Sequence, residues 1–360
     1  MRVVISAGGT GGHIYPALAI IDKIKEKEPT SEFLYIGTHN RMEKDIIPKR
    51  GIPYKAIEMY GFNKKNLFKN FKTIFSLIKS FKECKRMIKK FNPDIVIGVG
   101  GYVTVPVIIS AKKLGYKTFI HEQNSIPGKS NRYLAKYCDS IGISFASSIK
   151  YLPKEKTFLS GNPCSENAIK APAASKTQLG LSANKKLVLI TMCSLGSKTM
   201  NDYLAKTLNK FKDKNYEVLI VTGNASHEGF RKNKTPENVK IIPFYEGLPK
   251  IMKRTDLFIS RAGASTISEI IALEVPTILI PSPFVANNHQ YINALDLIKK
   301  QAAIMIEEKD LKENTLIDKI DEVIYDEVKI KKMKEKLRTL KVNDSALLIY
   351  NKLKEIIKWK

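Results

Sequence analysis

Cysteine, paired acids and long apolar runs are all scarce in this chain. Only four cysteines occur in 360 residues (Cys84, Cys138, Cys164 and Cys193), and no two are spaced as a zinc site or a redox pair. That excludes a disulfide scaffold and fits a reducing compartment such as the cytoplasm. The apolar N-terminal run meets glycine at Gly8, too soon for a signal-peptide core, so export is not expected. The longest uncharged stretch, 95–111, carries Gly98, Gly100, Gly101, Thr104 and Pro106, and reads as strand and loop rather than membrane span. No Asp-x-Asp pair occurs, and His13, His39, His121, His227 and His289 lack the i, i+4 spacing of a helical metal site. Neither a catalytic metal nor a cofactor is expected. Acids are also few, 35 against 61 Lys and Arg, and the net charge of +26 calls for an acidic partner: nucleic acid, an anionic membrane or a phosphorylated substrate.

What is present is a repeated grammar. Apolar runs at 3–6, 33–36, 95–99, 118–121 and 140–144 alternate with helical patterns, and the same alternation restarts at 187–191, 216–222, 239–242, 257–260 and 277–280. Continuous apolar strands separated by helices predict parallel sheets covered on both faces. With a turn-rich segment at 161–176 between the sets, the chain reads as α/β, two doubly wound Rossmann-like domains with parallel sheets facing a cleft. The expected boundaries are 1–161 and 162–342, with a C-terminal helix at about 343–360 joining the first domain.

In such sheets ligands bind beyond the carboxyl ends of the strands. After the first strand stands Gly8-Gly9-Thr10-Gly11-Gly12-His13-Ile14-Tyr15-Pro16, where glycines let a backbone approach a phosphate and a helix N-terminus faces it. It is not the dinucleotide fingerprint, because Ile14 occupies the third glycine position and no acid closes the second strand at Gly37-Thr38. It also lacks the Lys-Ser/Thr of a nucleotide-triphosphatase loop. His13 reads either as a base, since imidazole titrates near neutrality, or as a helix cap. A second cradle, Gly98-Val99-Gly100-Gly101-Tyr102-Val103-Thr104, adds a phenol, and His121-Glu122-Gln123-Asn124-Ser125 crowds polar groups after another strand. Glu122 and Asn124 read as acceptor-binding groups or as a structural turn.

In the second half, Arg261-Ala262-Gly263-Ala264-Ser265-Thr266-Ile267-Ser268-Glu269 opens a helix with small and hydroxyl residues, an anion site with side-chain donors. Glu269 could accept from two ribose hydroxyls or merely answer the helix dipole. The stretch 281–293, with His289, Gln290 and Asn293, is rich in groups suited to sugar hydroxyls. Between Gly61 and Lys90, ten cations face the single acid Glu83, with Phe68, Phe71, Ile78, Phe81 and Ile88 among apolar residues at helical spacing. That pattern suits an anionic bilayer surface or a helix covering the sheet. A nucleic-acid motif is absent, so nucleic acid is not expected as a partner.

Taken together, Gly8 to Pro16, Gly100-Gly101-Tyr102, His121 to Asn124, Arg261 to Glu269, and Asn288-His289-Gln290 with Asn293 resemble the signature loops of the MurG family, over nearly the whole length and in order. The resemblance implies a GT-B N-acetylglucosaminyltransferase of peptidoglycan biosynthesis, and so a role in cell shape and division. It would act at the cytoplasmic face of the bacterial membrane as a peripheral protein, through the 61–90 region. It implies UDP-N-acetylglucosamine as donor, undecaprenyl-linked muramyl-pentapeptide as acceptor, inverting direct displacement without a metal, and room for other cell-wall synthesis proteins as partners. His13 and Glu269 would be the catalytic pair. Thr10, Gly11, Gly12, His13, Gly101, Tyr102, Glu122 and Asn124 would meet the acceptor. Thr10, Gly11, Gly12, Asn124, Ser194, Arg261, Gly263, Ala264, Ser265, Thr266, Glu269, His289, Gln290 and Asn293 would meet the donor. The family loop Gly-Gly-Ser-Gln/Arg-Gly reads Met192-Cys193-Ser194-Leu195-Gly196 here, Cys164-Ser165 lacks the arginine common after Pro163, and Val105 replaces a glycine. Those departures keep two alternatives open: a paralogue with another sugar donor or lipid acceptor, and a non-catalytic precursor-binding scaffold.

Overall fold

A computed structural model describes residues 1–59, 68–192, 197–224, 227–231 and 234–358, with the backbone alone at 68–75, 231 and 286. The chain divides into two units, Met1–Cys164 with Val342–Lys360, and Ser165–Lys341. The division lies slightly beyond the expected one at Gly161. There the chain adopts a left-handed φ of 69°, and a Cβ would fall 2.8 Å from that of Val342, so departing and returning strands of chain cross within the first unit.

The first unit holds a seven-stranded parallel sheet of β1 (Arg2–Ser6), β2 (Glu32–Thr38), β3 (Tyr54–Ile57), β4 (Ile95–Gly98), β5 (Lys117–Glu122), β6 (Ser140–Ile143) and β7 (Thr157–Leu159), ordered β3-β2-β1-β4-β5-β6-β7. Alternation along the strands supplies both faces. Val3, Ile5, Ile95 and Ile97 pack with Ile14, Leu18 and Ile21 of the helix Gly11–Lys27, while Val4 and Val96 pack oppositely with Val107, Cys84 and Ile88. The C-terminal helix Ser345–Lys358 lays Ile349, Leu353 and Ile356 into the first of these layers. It is pinned where Lys354 and Tyr350 meet Glu28 at 2.6 and 2.9 Å, and the chain's amino terminus meets the same carboxylate at 3.2 Å.

The second unit holds six parallel strands, β8 (Lys186–Thr191), β9 (Tyr216–Val221), β10 (Val239–Ile242), β11 (Leu257–Ser260), β12 (Thr277–Leu279) and β13 (Ile304–Met305), ordered β10-β9-β8-β11-β12-β13. Its core joins Val188, Ile190, Val218, Ile220, Leu257 and Ile259 to Leu316, Ile320 and Ile324 of the helix Thr315–Ile324. Met192, one of the departures from the resembled loop, is buried in that core. In each sheet the order reverses beside the first strand of the unit, between β1 and β4 and between β8 and β11. Loops after those strands diverge and leave a crevice at the carboxyl ends.

Candidate active site

In the first unit the loops after β1 and β4 are built against each other. Gly8 N–H donates to the Gly100 carbonyl at 3.2 Å, and Gly101, at φ 91°, lies so close that a Cβ would sit 2.5 Å from the Gly8 carbonyl oxygen. Only glycine tolerates both that approach and that backbone. His13 stands in the first turn of the helix Gly11–Lys27, with Thr10 as N-cap, and its Nδ1 lies 2.9 Å from the Gly8 carbonyl oxygen. A carbonyl can only accept, so Nδ1 carries the proton and the neutral ring keeps its lone pair on Nε2. This is the tautomer a general base attacking through Nε2 requires.

Thr10 and Gly12 are exposed and Gly11 half-buried at the start of this helix, and Tyr102 stands 59% exposed beyond Gly101. Val103 and Thr104 turn the chain into the helix Thr104–Lys113, whose Thr104 hydroxyl donates to the Gly101 carbonyl at 2.7 Å. The loop after β5 is tied to the same place: the Gln123 amide donates to the Val99 carbonyl at 3.1 Å. Glu122 is buried with both oxygens engaged. One accepts from the backbone and side-chain amides of Asn124 at 2.9 and 3.1 Å, the other from Gly128 N–H and the Asn131 amide at 2.9 Å each. Its carboxylate therefore shapes the loop that presents the half-buried Asn124. His121 is wholly buried, bonded to the Gly161 carbonyl at 3.0 Å, and burial pushes its imidazole down to about 4. It is neutral at neutral pH and belongs to the scaffold.

In the second unit, β11 runs into the helix Ala264–Leu273 with Gly263 as N-cap. Its first turn contains no acid, so Glu269, a turn further on, does not answer the N-terminal dipole. Burial raises the Glu269 carboxyl to about 7. Ser265 Oγ is buried without a hydrogen-bond partner among the described residues, at the end of a helix whose N–H groups suit an anion. Thr266 follows it half-buried.

Arg261 is placed differently from an anion-binding cation. It is buried, pairs with Glu308 at 2.6 Å, and donates to Ser197 Oγ at 2.8 Å and to the Ile280 carbonyl at 3.1 Å. The guanidinium ties the ends of β11 and β12 to the N-cap of the helix Lys198–Thr207. Gln290 accepts from Ser282 N–H at 2.9 Å, and Asn293, fully buried, donates to the Ala262 carbonyl at 3.2 Å. These two amides hold the loops after β12 and β11, while His289 begins the helix His289–Ile298 and is half-buried. Ser194 lies outside the described residues, as do the side chains of Phe68 and Phe71. On the described part of the helix Phe68–Phe91, Lys79, Lys82, Lys85, Arg86, Lys89 and Lys90 are exposed and Ile78 is 63% exposed, while Ser76, Ser80, Cys84 and Ile88 are buried. The buried face covers the sheet, as one of the two sequence readings expects. Among the described residues no group of three metal-ligating side chains occurs, and no helix is long and apolar enough to cross a membrane.

Residues 3–143 match the glycosyltransferase family 28 N-terminal domain, and residues 187–349 match the C-terminal domain of that family. The chain is 44% identical to the UDP-N-acetylglucosamine–N-acetylmuramyl-(pentapeptide) pyrophosphoryl-undecaprenol N-acetylglucosamine transferase of Bacillus cytotoxicus, over 99% of this chain and 100% of that one. The corresponding Bacillus licheniformis protein is 44% identical over 99% of each chain. Among solved structures, MurG of Acinetobacter baumannii superimposes with a TM-score of 0.80 at 23% identity, covering 98% of this chain and 99% of that one. With the glycine-rich loops, the His13 tautomer and the open helix end at Ser265 in place, the chain belongs to glycosyltransferase family 28 and, within it, to the MurG N-acetylglucosaminyltransferases.

Proposed function

We propose that this protein transfers N-acetylglucosamine from UDP-N-acetylglucosamine to the C4 hydroxyl of undecaprenyl-diphospho-N-acetylmuramoyl-pentapeptide, converting lipid I to lipid II in peptidoglycan synthesis. Full-length identity of 44% to a transferase named for these substrates supports the substrates. The observation that carries the mechanism is the 2.9 Å bond from His13 Nδ1 to the Gly8 carbonyl, which leaves Nε2 free to take a proton.

In this reading the acceptor hydroxyl loses its proton to His13 Nε2 as its oxygen attacks the anomeric carbon. The bond from that carbon to UDP breaks on the opposite face, with oxocarbenium character and inversion. Tyr102 and Asn124 hold the acceptor, while Thr10, Gly11 and Gly12 present backbone to it. The charge arriving on UDP is met by the N-terminus of the helix Ala264–Leu273 and the Ser265 and Thr266 hydroxyls, and no metal is required. Glu269 accepts from the ribose hydroxyls, and His289 and Gln290 lie against the sugar. The protein acts as a peripheral one at the anionic cytoplasmic face of the membrane, where each exposed lysine near headgroups adds about 1 kcal/mol.

UDP release measured with and without a short-chain lipid-linked muramyl-pentapeptide, in the presence of chelator, tests this. Acceptor-dependent release that falls by roughly 10² in His13→Ala is expected. Release independent of acceptor, or unchanged in that variant, overturns the acceptor or the base assignment respectively.

A further inference from the structure

Glu43 was not singled out by any motif, yet it lies beneath the first glycine-rich loop with no solvent exposure. Its carboxylate makes three hydrogen bonds, all accepted: Oε2 from Gly9 N–H at 3.2 Å, and Oε1 from Thr38 N–H at 3.2 Å and Thr38 Oγ1 at 2.7 Å. The room it occupies exists because Gly8 lacks a side chain, since a Cβ there would fall 2.8 Å from Oε1.

The Gly9 N–H and the Gly8 carbonyl belong to one peptide group. On its other side that group accepts from His13 Nδ1 at 2.9 Å. A continuous path therefore runs from the imidazole through the Gly8–Gly9 peptide to a buried carboxylate. Hydrogen bonds in series polarise one another, and a carboxylate on the N–H makes the carbonyl of the same amide a stronger acceptor. We propose that Glu43 is a positioning residue for the reaction, acting on His13 through the Gly8–Gly9 peptide as a carboxylate acts on histidine directly in a hydrolase triad. No proton passes to Glu43. It fixes the ring's orientation and tautomer, and its charge favours the imidazolium formed when Nε2 takes the acceptor proton. This rests on His13 being the base.

Tyr35 and Tyr54 feel the charge of Glu43, and Asp45, Lys44, Arg41 and His39 stand close to it in the chain. Tyr35 and Tyr54 donate to the Ala7 and Thr38 carbonyls at 2.8 and 2.6 Å. Burial first, and then the charge of Glu43, holds both phenols protonated far above neutrality. Asp45 stands on the short helix of Glu43 itself, Glu43–Lys49, and adds to the shift at Tyr54. The phenols contribute no charge in the neutral range, which leaves the effect of Glu43 readable there.

The test is the pH profile of kcat/KM in Glu43→Gln, with UDP affinity as the control for folding. The expected result is a kcat lowered about tenfold, an acidic limb displaced by roughly half a pH unit or more toward acid, and unchanged UDP affinity. A lowered kcat with an undisplaced limb makes Glu43 purely structural and overturns the proposal. If Glu43→Gln does not fold, the unsubstituted protein serves. Nitrogen NMR should find His13 protonated on Nδ1, and the Gly9 amide proton should move as Glu43 is titrated; a static Gly9 proton or the opposite tautomer overturns the relay. His13→Ala separates the two readings, because an active His13→Ala removes the base assignment itself, whereas an inactive one with an undisplaced limb in Glu43→Gln removes only the relay.

Discussion

The imidazole of His13 lies on the bare Cα of Gly100: a Cβ at that position would fall 2.6 Å from Cδ2 and 2.9 Å from Nε2. Gly100 also holds a φ of 104°, outside the region open to L side chains. Gly100→Ala should therefore displace the ring and lower kcat by about 10², while UDP binding in the second unit persists. Steady-state kinetics beside UDP calorimetry checks the pair of outcomes.

In the proposed reading, Glu269 connects acidity to donor binding. Its carboxyl titrates near 7 because it is desolvated, and ribose hydroxyls donate best to the ionised form. UDP should bind about tenfold more tightly at pH 8.5 than at pH 5.5, and Glu269→Gln should flatten the dependence. Stability runs the other way. Between the ordinary 4.5 and about 7 the unfolded chain loses a proton that the folded unit keeps, so the unliganded second unit should lose about 1–3 kcal/mol as pH rises through that window. Calorimetric titration and thermal midpoints over this range measure both.

Arg261 and Glu308 form a buried pair at 2.6 Å, which makes truncation of one partner costlier than removal of both. Arg261→Ala should destabilise the second unit by about 3–5 kcal/mol, and adding Glu308→Ala should recover part of the loss. Denaturant unfolding of the two single variants and the double variant gives the coupling energy directly.

The Lys354 ammonium, with help from the Tyr350 hydroxyl and the amino terminus, holds the Glu28 carboxyl down at about 2. Such a group stabilises fully above the ordinary 4.5 and ceases to do so as pH falls through 2. Glu28→Gln should cost about 1–2 kcal/mol at pH 7 after solvent screening, with the difference from the parent shrinking through that acid window. Thermal midpoints at pH 7 and pH 3 show whether it does.

The strands legible in the sequence are mostly those buried on both faces, where apolar residues run without interruption. The three that escaped, Tyr54–Ile57, Thr157–Leu159 and Ile304–Met305, are all sheet edges with partly exposed residues, and the last has only two residues. Near the site, the glycines and His13 announce themselves through local spacing. Glu43 does not: it follows Thr38 after an irregular turn, and its bond to Gly9 spans 34 positions. A buried acid shortly after a strand that ends in Gly-Thr is the one signal that could have pointed to it. Arg261 was legible as important but its pairing was not, because sequence shows a charge without showing what neutralises it.

The first unit is also the last to be finished. Its sheet is synthesised first, but the helix Ser345–Lys358 that covers Ile14, Leu18 and Ile21 leaves the ribosome only after the whole second unit has been made. Through most of translation that apolar layer has no lid, while residues 165–341 already contain their entire core. The nascent chain therefore carries a complete second unit and a first unit still waiting for its closing helix. A stop codon near residue 340 would strand it in that state, dependent on chaperones rather than merely shortened.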